Sequence, residues 1–282
     1  MKQVELAGGV VMPAVGFGVY QIPKSDTERA VLEALEVGYR AVDTAASYGN
    51  EAEVGAAVRA SGLKREEVFI TSKLWVQDYE YEDALRAFER SRKALGVDYV
   101  DLYLLHKPYG NYYAAWRALE KLHAKGLIRA IGVTSFSNER LQDLFLHNSV
   151  KPAVNQIETH PFLQQEAANA FLKSEGIVHE AWAPFAEGQC GIFTHPVLEK
   201  IARAHGKSVA QVVLRWLNMR GVVVIPKSVR KERMKENFEI FDFTLTDDEM
   251  RAIAALETGR SPIYDDQDLA VTRFIGLHKI HD

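Results

Sequence analysis

The 282-residue chain is 47% hydrophobic, 26% charged and 10% aromatic, with 19 glycines and 9 prolines, which excludes a disordered, collagenous or low-complexity protein. A formal charge of −4 is unsuited to coating phosphates, so no nucleic-acid partner is expected. One cysteine, Cys190, cannot form an internal disulfide and suits a cytoplasmic setting. The opening MKQVELAGGVVMP interrupts the apolar core of a signal peptide. No apolar run approaches the roughly 18 residues of a membrane span, so no membrane partner is expected either.

In chain order, VELAGGVVM reads as a hairpin around Gly8-Gly9, placed to plug the bottom of a larger fold. Eight compact, mostly apolar runs follow as strand candidates: 14–18, 39–43, 68–72, 100–105, 129–133, 153–156, 177–182 and 222–226. Between them lie amphipathic stretches. Ser25-Asp-Thr-Glu28 reads as a capping box and Gly38 as the stop of that helix; Asn50 reads as a cap for the next. The gap before the last strand holds two helices, about 195–205 and 208–219, with Ser208-Val-Ala-Gln211 as a second capping box. Thr246-Asp-Asp-Glu249 starts another helix, and residues from about 258 onward read as irregular.

Strict alternation implies parallel strands with right-handed crossovers. Eight units without a linker imply one α/β domain over 1–282, a (β/α)8 barrel with an N-terminal hairpin plug and extra C-terminal helices. An open doubly wound sheet would carry a glycine-rich fingerprint after its first strand, and Gly16-Phe-Gly18 does not continue as one.

Chemistry in such a barrel belongs at the carboxyl ends of the strands. Those ends deliver Gly18, Val19 and Tyr20; Asp43, with Tyr48 just beyond; Lys73 and Trp75; His106; Thr134 and Ser135; Gln156; Trp182; and Lys227 and Ser228. Thirty residues separate Asp43 from Lys73 and 33 separate Lys73 from His106, about one βα unit each. A tyrosine is a poor acid at neutral pH. A lysine within reach would lower its pKa by roughly 1–3 units, an aspartate would hold that lysine charged, and a histidine would orient a carbonyl. The set contains no electron source, so a hydride must come from a cofactor. Lys227, Ser228, Arg230 and Arg233, at the last strand end and the start of its helix, suit a phosphate dianion, the alternative being a solvated basic helix face. No HExxH or paired-cysteine spacing is present, so no metal is expected.

These residues sit in strings that resemble the aldo-keto reductases: MPAVGFGVYQ, YRAVDTAASYGNEAEVG, FITSKLW, DLYLLHKP, AIGV, VNQIETHP and VVVIPKSVRKERMKENFEIFDF. The resemblance runs from about residue 4 to the tail and is nearest to short-loop bacterial members akin to diketogluconate reductases. It implies NADPH-dependent reduction of aldehydes and ketones, with Tyr48 as general acid, Asp43 and Lys73 as its activating pair and His106 orienting the carbonyl. It further implies that Gln156 holds the nicotinamide carboxamide, that Trp182 stacks on the ring, and that Glu236 and Asn237 lie near the adenine. Gly18, Val19, Thr134, Ser135, Ala183, Phe185 and Val229 complete the implied cofactor contacts, and monomers are usual in the family. The chain departs from the family at Thr134-Ser135, where Ser-Asn is usual, and at Ala183-Pro184-Phe185, which removes a hydroxyl near the pyrophosphate.

The segment after His106 is short, leaving Tyr20, Trp75, His106 and Tyr109 as expected walls of an open pocket for small carbonyls such as 2-oxoaldehydes. The tail SPIYDDQDLAVTRFIG is placed to fold over the mouth. Two other readings compete. Lys73 could form a Schiff base, as in aldolase-type barrels, or the chain could be a non-catalytic NADPH-binding module that senses redox state.

Overall fold

The computed structural model describes residues 2–265 and 268–282. Two short strands open the chain, β1 (Gln3–Glu5) and β2 (Val11–Pro13), paired antiparallel with Val4 opposite Met12. Gly8 and Gly9 turn between them at φ of 84° and 77°, a region glycine enters without steric cost. Leu6, Val10 and Met12 from this hairpin cluster with Ala41, Phe69, Leu102 and Val223, so the hairpin seals the floor of the barrel as expected.

Eight parallel strands follow, each hydrogen-bonded to the next in sequence: β3 (Phe17–Gly18), β4 (Ala41–Asp43), β5 (Phe69–Leu74), β6 (Val100–Leu105), β7 (Ile128–Thr134), β8 (Val154–Glu158), β9 (Val178–Trp182) and β10 (Val223–Val224). A parallel bridge between Val15 and Val224 closes the ring, with Gly16 N donating to Val224 O at 2.8 Å. A β-carbon on Gly18 would lie 2.8 Å from the Ile225 carbonyl oxygen, so glycine is what lets the first and last strands meet. The first and eighth strands are shorter than the apolar runs 14–18 and 222–226 that announce them.

The outer layer comprises α1 (Lys24–Val37), α2 (Glu51–Ala60), α3 (Tyr81–Leu95), α4 (Tyr112–Ala124), α5 (Asn138–Leu146), α6 (Glu166–Ser174), α7 (Pro196–His205), α8 (Val209–Met219), α9 (Lys231–Phe238), α10 (Asp247–Ala254) and α11 (Leu269–Leu277). Buried Val31, Phe88, Trp116, Leu144 and Leu214 fill the layer between helices and sheet.

Ser208 forms the capping box expected of it, and Thr246, expected to start a helix, does so with a capping box of its own. Three details differ from expectation. Ser25 lies inside α1, whose first turn instead uses the Pro23 carbonyl as acceptor from Asp26 N and Thr27 N. Asn50 stands at the N-cap of α2 but does not cap it, because its side chain accepts from Thr44 Oγ1 at 2.8 Å and donates to the Val19 carbonyl at 3.2 Å. The stretch beyond 258 is not wholly irregular: α11 forms there, started by Asp268, whose side chain accepts from Ala270 N. Residues 266 and 267 of that tail lie outside the described residues.

Candidate active site

Asp43 ends β4 in register with Gly18 and Thr71. Lys73 points inward from β5 and is wholly buried, with Nζ 2.5 Å from Asp43 Oδ1, 3.0 Å from the Thr44 carbonyl and 3.3 Å from the Tyr48 hydroxyl. Tyr48 sits on a single 3-10 turn, Ala46–Tyr48, ended by Gly49 at φ 68°. That turn swings the phenol back over the strand ends. His106 directly follows β6, with its backbone N–H bound to the Leu74 carbonyl at 3.0 Å. Its ring meets Tyr48 edge-on at 5.6 Å and Trp75 at 5.2 Å, and its Nδ1 lies 3.2 Å from Ser47 Oγ. The fold thus brings Asp43, Tyr48, Lys73 and His106 together at one spot.

The electrostatics depart from the simple picture of an acidified phenol. Burial pushes Tyr48 up and Lys73 pulls it down, with burial the larger effect, so Tyr48 is pushed up to about 12. Burial opposes the charge on Lys73, but Asp43 and Tyr48 outweigh it and Lys73 lies above its ordinary value. His106 is held well below its ordinary value by burial and by the cations Lys73 and Lys107, so its imidazole is neutral.

Asp43, Tyr48 and His106 line a cleft of about 1060 Å³ across the mouth. Its wall also holds Gly18, Tyr20, Trp75, Thr134, Ser135, Gln156, Trp182, Ala183 and Phe185, with Lys227 and Arg233 bordering the same space. Other expected residues stand behind the wall or beside it. Val19 is buried, and Ser228 Oγ accepts from Arg230 N at the start of α9. Val229 is exposed, Asn237 is buried and Glu236 is half-buried within α9. Tyr109 is half-buried in the loop before α4 and is not among the wall residues.

Ser135 adopts φ 57° and Ala183 φ 47°, left-handed values that side chains other than Asn and Asp seldom take. At Ser135 the asparagine usual in the resembling family would be the easier fit. Thr134 Oγ1 donates to the His106 carbonyl, and Ser135 N donates to the Gln156 carbonyl at 3.0 Å.

Residues not singled out in the sequence also enter the site. Lys107 reaches the Tyr264 hydroxyl and lies 3.5 Å from Ser135 Oγ. Tyr264 stacks on Trp182 with centroids 5.7 Å apart and planes 14° from parallel. Trp75 Nε1 donates to the His278 carbonyl at 2.8 Å, so the tail does cross the mouth. Glu180 of β9 lies beneath, with Oε2 accepting from Gln156 Nε2 at 2.7 Å. The signal for Glu180 was there to see, a lone acid in the apolar run IVHEAW. Tyr264 carried no periodic signal.

A nicotinamide dinucleotide fits what is present. One continuous cleft joins a carbonyl-sized corner at Tyr48 and His106 to an aromatic face, a carboxamide at Gln156, and two cations, Lys227 and Arg233. Among the described residues no cluster of three or more His, Cys, Asp or Glu could hold a metal, and no helix is long and apolar enough to cross a membrane.

Residues 14–258 match the family described as "Aldo/keto reductase family". A glyoxal reductase of Bacillus subtilis (strain 168) is 48% identical over 255 residues, covering 90% of this chain and 92% of its own. A morphine 6-dehydrogenase of Pseudomonas putida is 45% identical over 285 residues, covering 96% of each. The crystal structure of a Bombyx mori aldo-keto reductase in complex with NADP superposes with a TM-score of 0.89 at 33% identity, covering 96% of each chain.

Proposed function

The chain belongs to the aldo/keto reductase family, and from that premise we propose that it reduces small aldehydes and ketones with NADPH, Tyr48 giving up the proton. The observation that carries this reading is the contact of the Tyr48 hydroxyl with Lys73 Nζ at 3.3 Å, with the His106 ring edge-on to the phenol at 5.6 Å. NADPH, when bound, supplies the hydride. Tyr48 keeps its proton at neutral pH, as a donor must, and is still a far stronger acid than the alcohol it would form. Lys73 stabilises the phenolate left behind, and Asp43 keeps Lys73 charged and aimed. In the tautomer in which Ser47 Oγ, 3.2 Å from Nδ1, is the donor, His106 would offer an Nε2 N–H to a carbonyl oxygen and fix its position.

Gln156, Trp182, Thr134 and Ser135 would hold the nicotinamide end. The N-terminus of α9 with Lys227, Ser228, Val229 and Arg230 would hold the phosphates, Arg233 the 2′-phosphate, and Glu236 and Asn237 the adenine side. Gly18, Val19, Ala183 and Phe185 would shape the cradle around the ring and pyrophosphate. Tyr20 and Trp75 would wall the carbonyl pocket; Tyr109, outside the cleft wall, is not given that role. The names of relatives, a glyoxal reductase and a methylglyoxal reductase of Yersinia pestis, favour 2-oxoaldehydes as the substrate class. The same reading takes residues 1–282 as one domain acting as a cytoplasmic monomer.

A Schiff base at Lys73 is disfavoured, since the amine is buried, charged and bound to three oxygens. The test is NADPH consumption over a panel of carbonyls by the wild type and by Y48F. Turnover of 2-oxoaldehydes or aromatic aldehydes should fall by about 100-fold or more in Y48F, while nucleotide still quenches tryptophan fluorescence. Near-normal turnover in Y48F would remove the acid assignment.

A further inference from the structure

Strand β9 carries one acid that the relay from Asp43 to Tyr48 leaves out. Glu180 is wholly buried and stands in register with Gln156 of β8 and Val223 of β10. Its neighbour in sequence, His179, engages Thr159 and Asn169 instead. Gln156 Nε2 donates both to Glu180 Oε2 at 2.7 Å and to Asp43 Oδ2 at 2.9 Å, so one amide bridges two carboxyl groups. From Asp43 the chain continues through Lys73 at 2.5 Å to Tyr48 at 3.3 Å. Glu180 Oε1 is buried without a hydrogen-bond partner among the described residues.

The charged groups that face Glu180 are Asp43 of β4 and Lys73 of β5; β8 brings the neutral Gln156 and β10 the apolar Val223. Two carboxyls therefore share one cation. Lys73 touches Asp43, so Asp43 takes the negative charge. Glu180 is left without a cation in contact, beside a like charge and with one bare oxygen. An ionised oxygen in that position costs more than a neutral one, which favours the protonated form. Burial, reinforced by Asp43, accordingly pushes the Glu180 carboxyl up to about 8.

We propose that Glu180 is a positioning residue for the proton transfer: as a neutral acid it leaves Lys73 to serve Asp43 and Tyr48 alone, and on ionising it sets a second negative charge behind Asp43 that holds the phenolic proton on Tyr48. The inference rests on Tyr48 as the donor. It makes the reaction sensitive to pH through a group that touches neither carbonyl nor nucleotide. The proton leaves Glu180 for solvent, and no other bond changes.

The experiment follows the single-turnover rate of aldehyde reduction at saturating NADPH across a pH range centred on about 8. The wild type should step down by about tenfold, the equivalent of one pKa unit at Tyr48. E180Q, which has no proton to lose, should lack the step; the same step in E180Q overturns the proposal. A second readout needs no turnover. The infrared carbonyl stretch of a protonated carboxyl should bleach in the wild type as pH rises through about 8, shift in E180D and vanish in E180Q. A wild type without a band titrating in that window overturns the proposal even if the variants do not fold. An inactive Y48F alongside an unchanged step in E180Q sinks the role of Glu180 while sparing that of Tyr48. An active Y48F sinks the donor assignment, and the infrared band then still reports whether Glu180 holds the proton.

Discussion

At 3.3 Å from Lys73, the Tyr48 hydroxyl has the partner that residue types and spacing called for, yet the lysine does not make it a strong acid. Spacing along a chain conveys which groups meet. It does not convey how much water is removed when they do, and here the loss of water outweighs the cation. On the proposed reading, Lys73 would therefore act chiefly on the phenolate that forms during transfer. Arg233 lines the same cleft as Tyr48 but is carried by α9, after the last strand. R233A should raise the dissociation constant of NADPH by about tenfold or more while barely changing that of NADH, the loss expected for one charge-assisted phosphate contact. Titration by fluorescence quenching checks it, and equal losses for the two nucleotides would remove the 2′-phosphate role.

Elements tell a different story from residues. The eight strands and the cap signals at Ser208 and Thr246 were legible because burial on both faces and helix starts leave marks within a few neighbouring residues. The strand-end rule then placed Asp43, Lys73, His106, Gln156 and Trp182 at one mouth without a contact being known. The true engagements of Asn50, which reads as a cap, and of Tyr264 are hidden for the opposite reason: Asn50 reaches Val19 as well as Thr44, Tyr264 reaches Trp182, and no local pattern encodes partners so far away in sequence. Helix α11 is hidden for another reason: it is short, and its sequence LAVTRFIGL is apolar nearly all round, with Leu269, Phe274 and Leu277 left exposed, so no polar face sets off an apolar stripe.

Beyond α11 the chain is tied down by Gln77, which accepts from Ile280 N at 2.8 Å, and by Asp78, whose carboxylate meets His281 Nε2 at 2.9 Å. Hydrogen bonding to Asp78 raises the pKa of His281. A group whose folded pKa is raised contributes fully below its unfolded value, about 6.5, and loses that contribution as pH rises through the raised value. The tail should therefore be held more firmly in mild acid than in alkali. Hydrogen exchange in residues 269–282 should quicken toward alkaline pH beyond the intrinsic rate change, and H281A should erase the difference.

Seen across the whole molecule, floor and mouth are treated in opposite ways. The hairpin seals the floor with apolar side chains, among them Leu6 and Met12. The mouth is crossed by a tail that uses a backbone carbonyl on Trp75, a ring on Trp182 and an imidazole on Asp78. Contacts of this second kind break singly and at small cost. Removing one of them, as in Y264A, should speed nucleotide association by several-fold, measured by stopped-flow fluorescence, with little change in melting temperature.

The ring of Tyr264 lying flat on Trp182 has a consequence for how turnover is timed. The strap that shields the indole is also the one fastened beside the carbonyl corner, so both reactants would pass through a single gate. Steady-state throughput should then slow as glycerol thickens the medium, a drag to which a proton hop inside the barrel is indifferent.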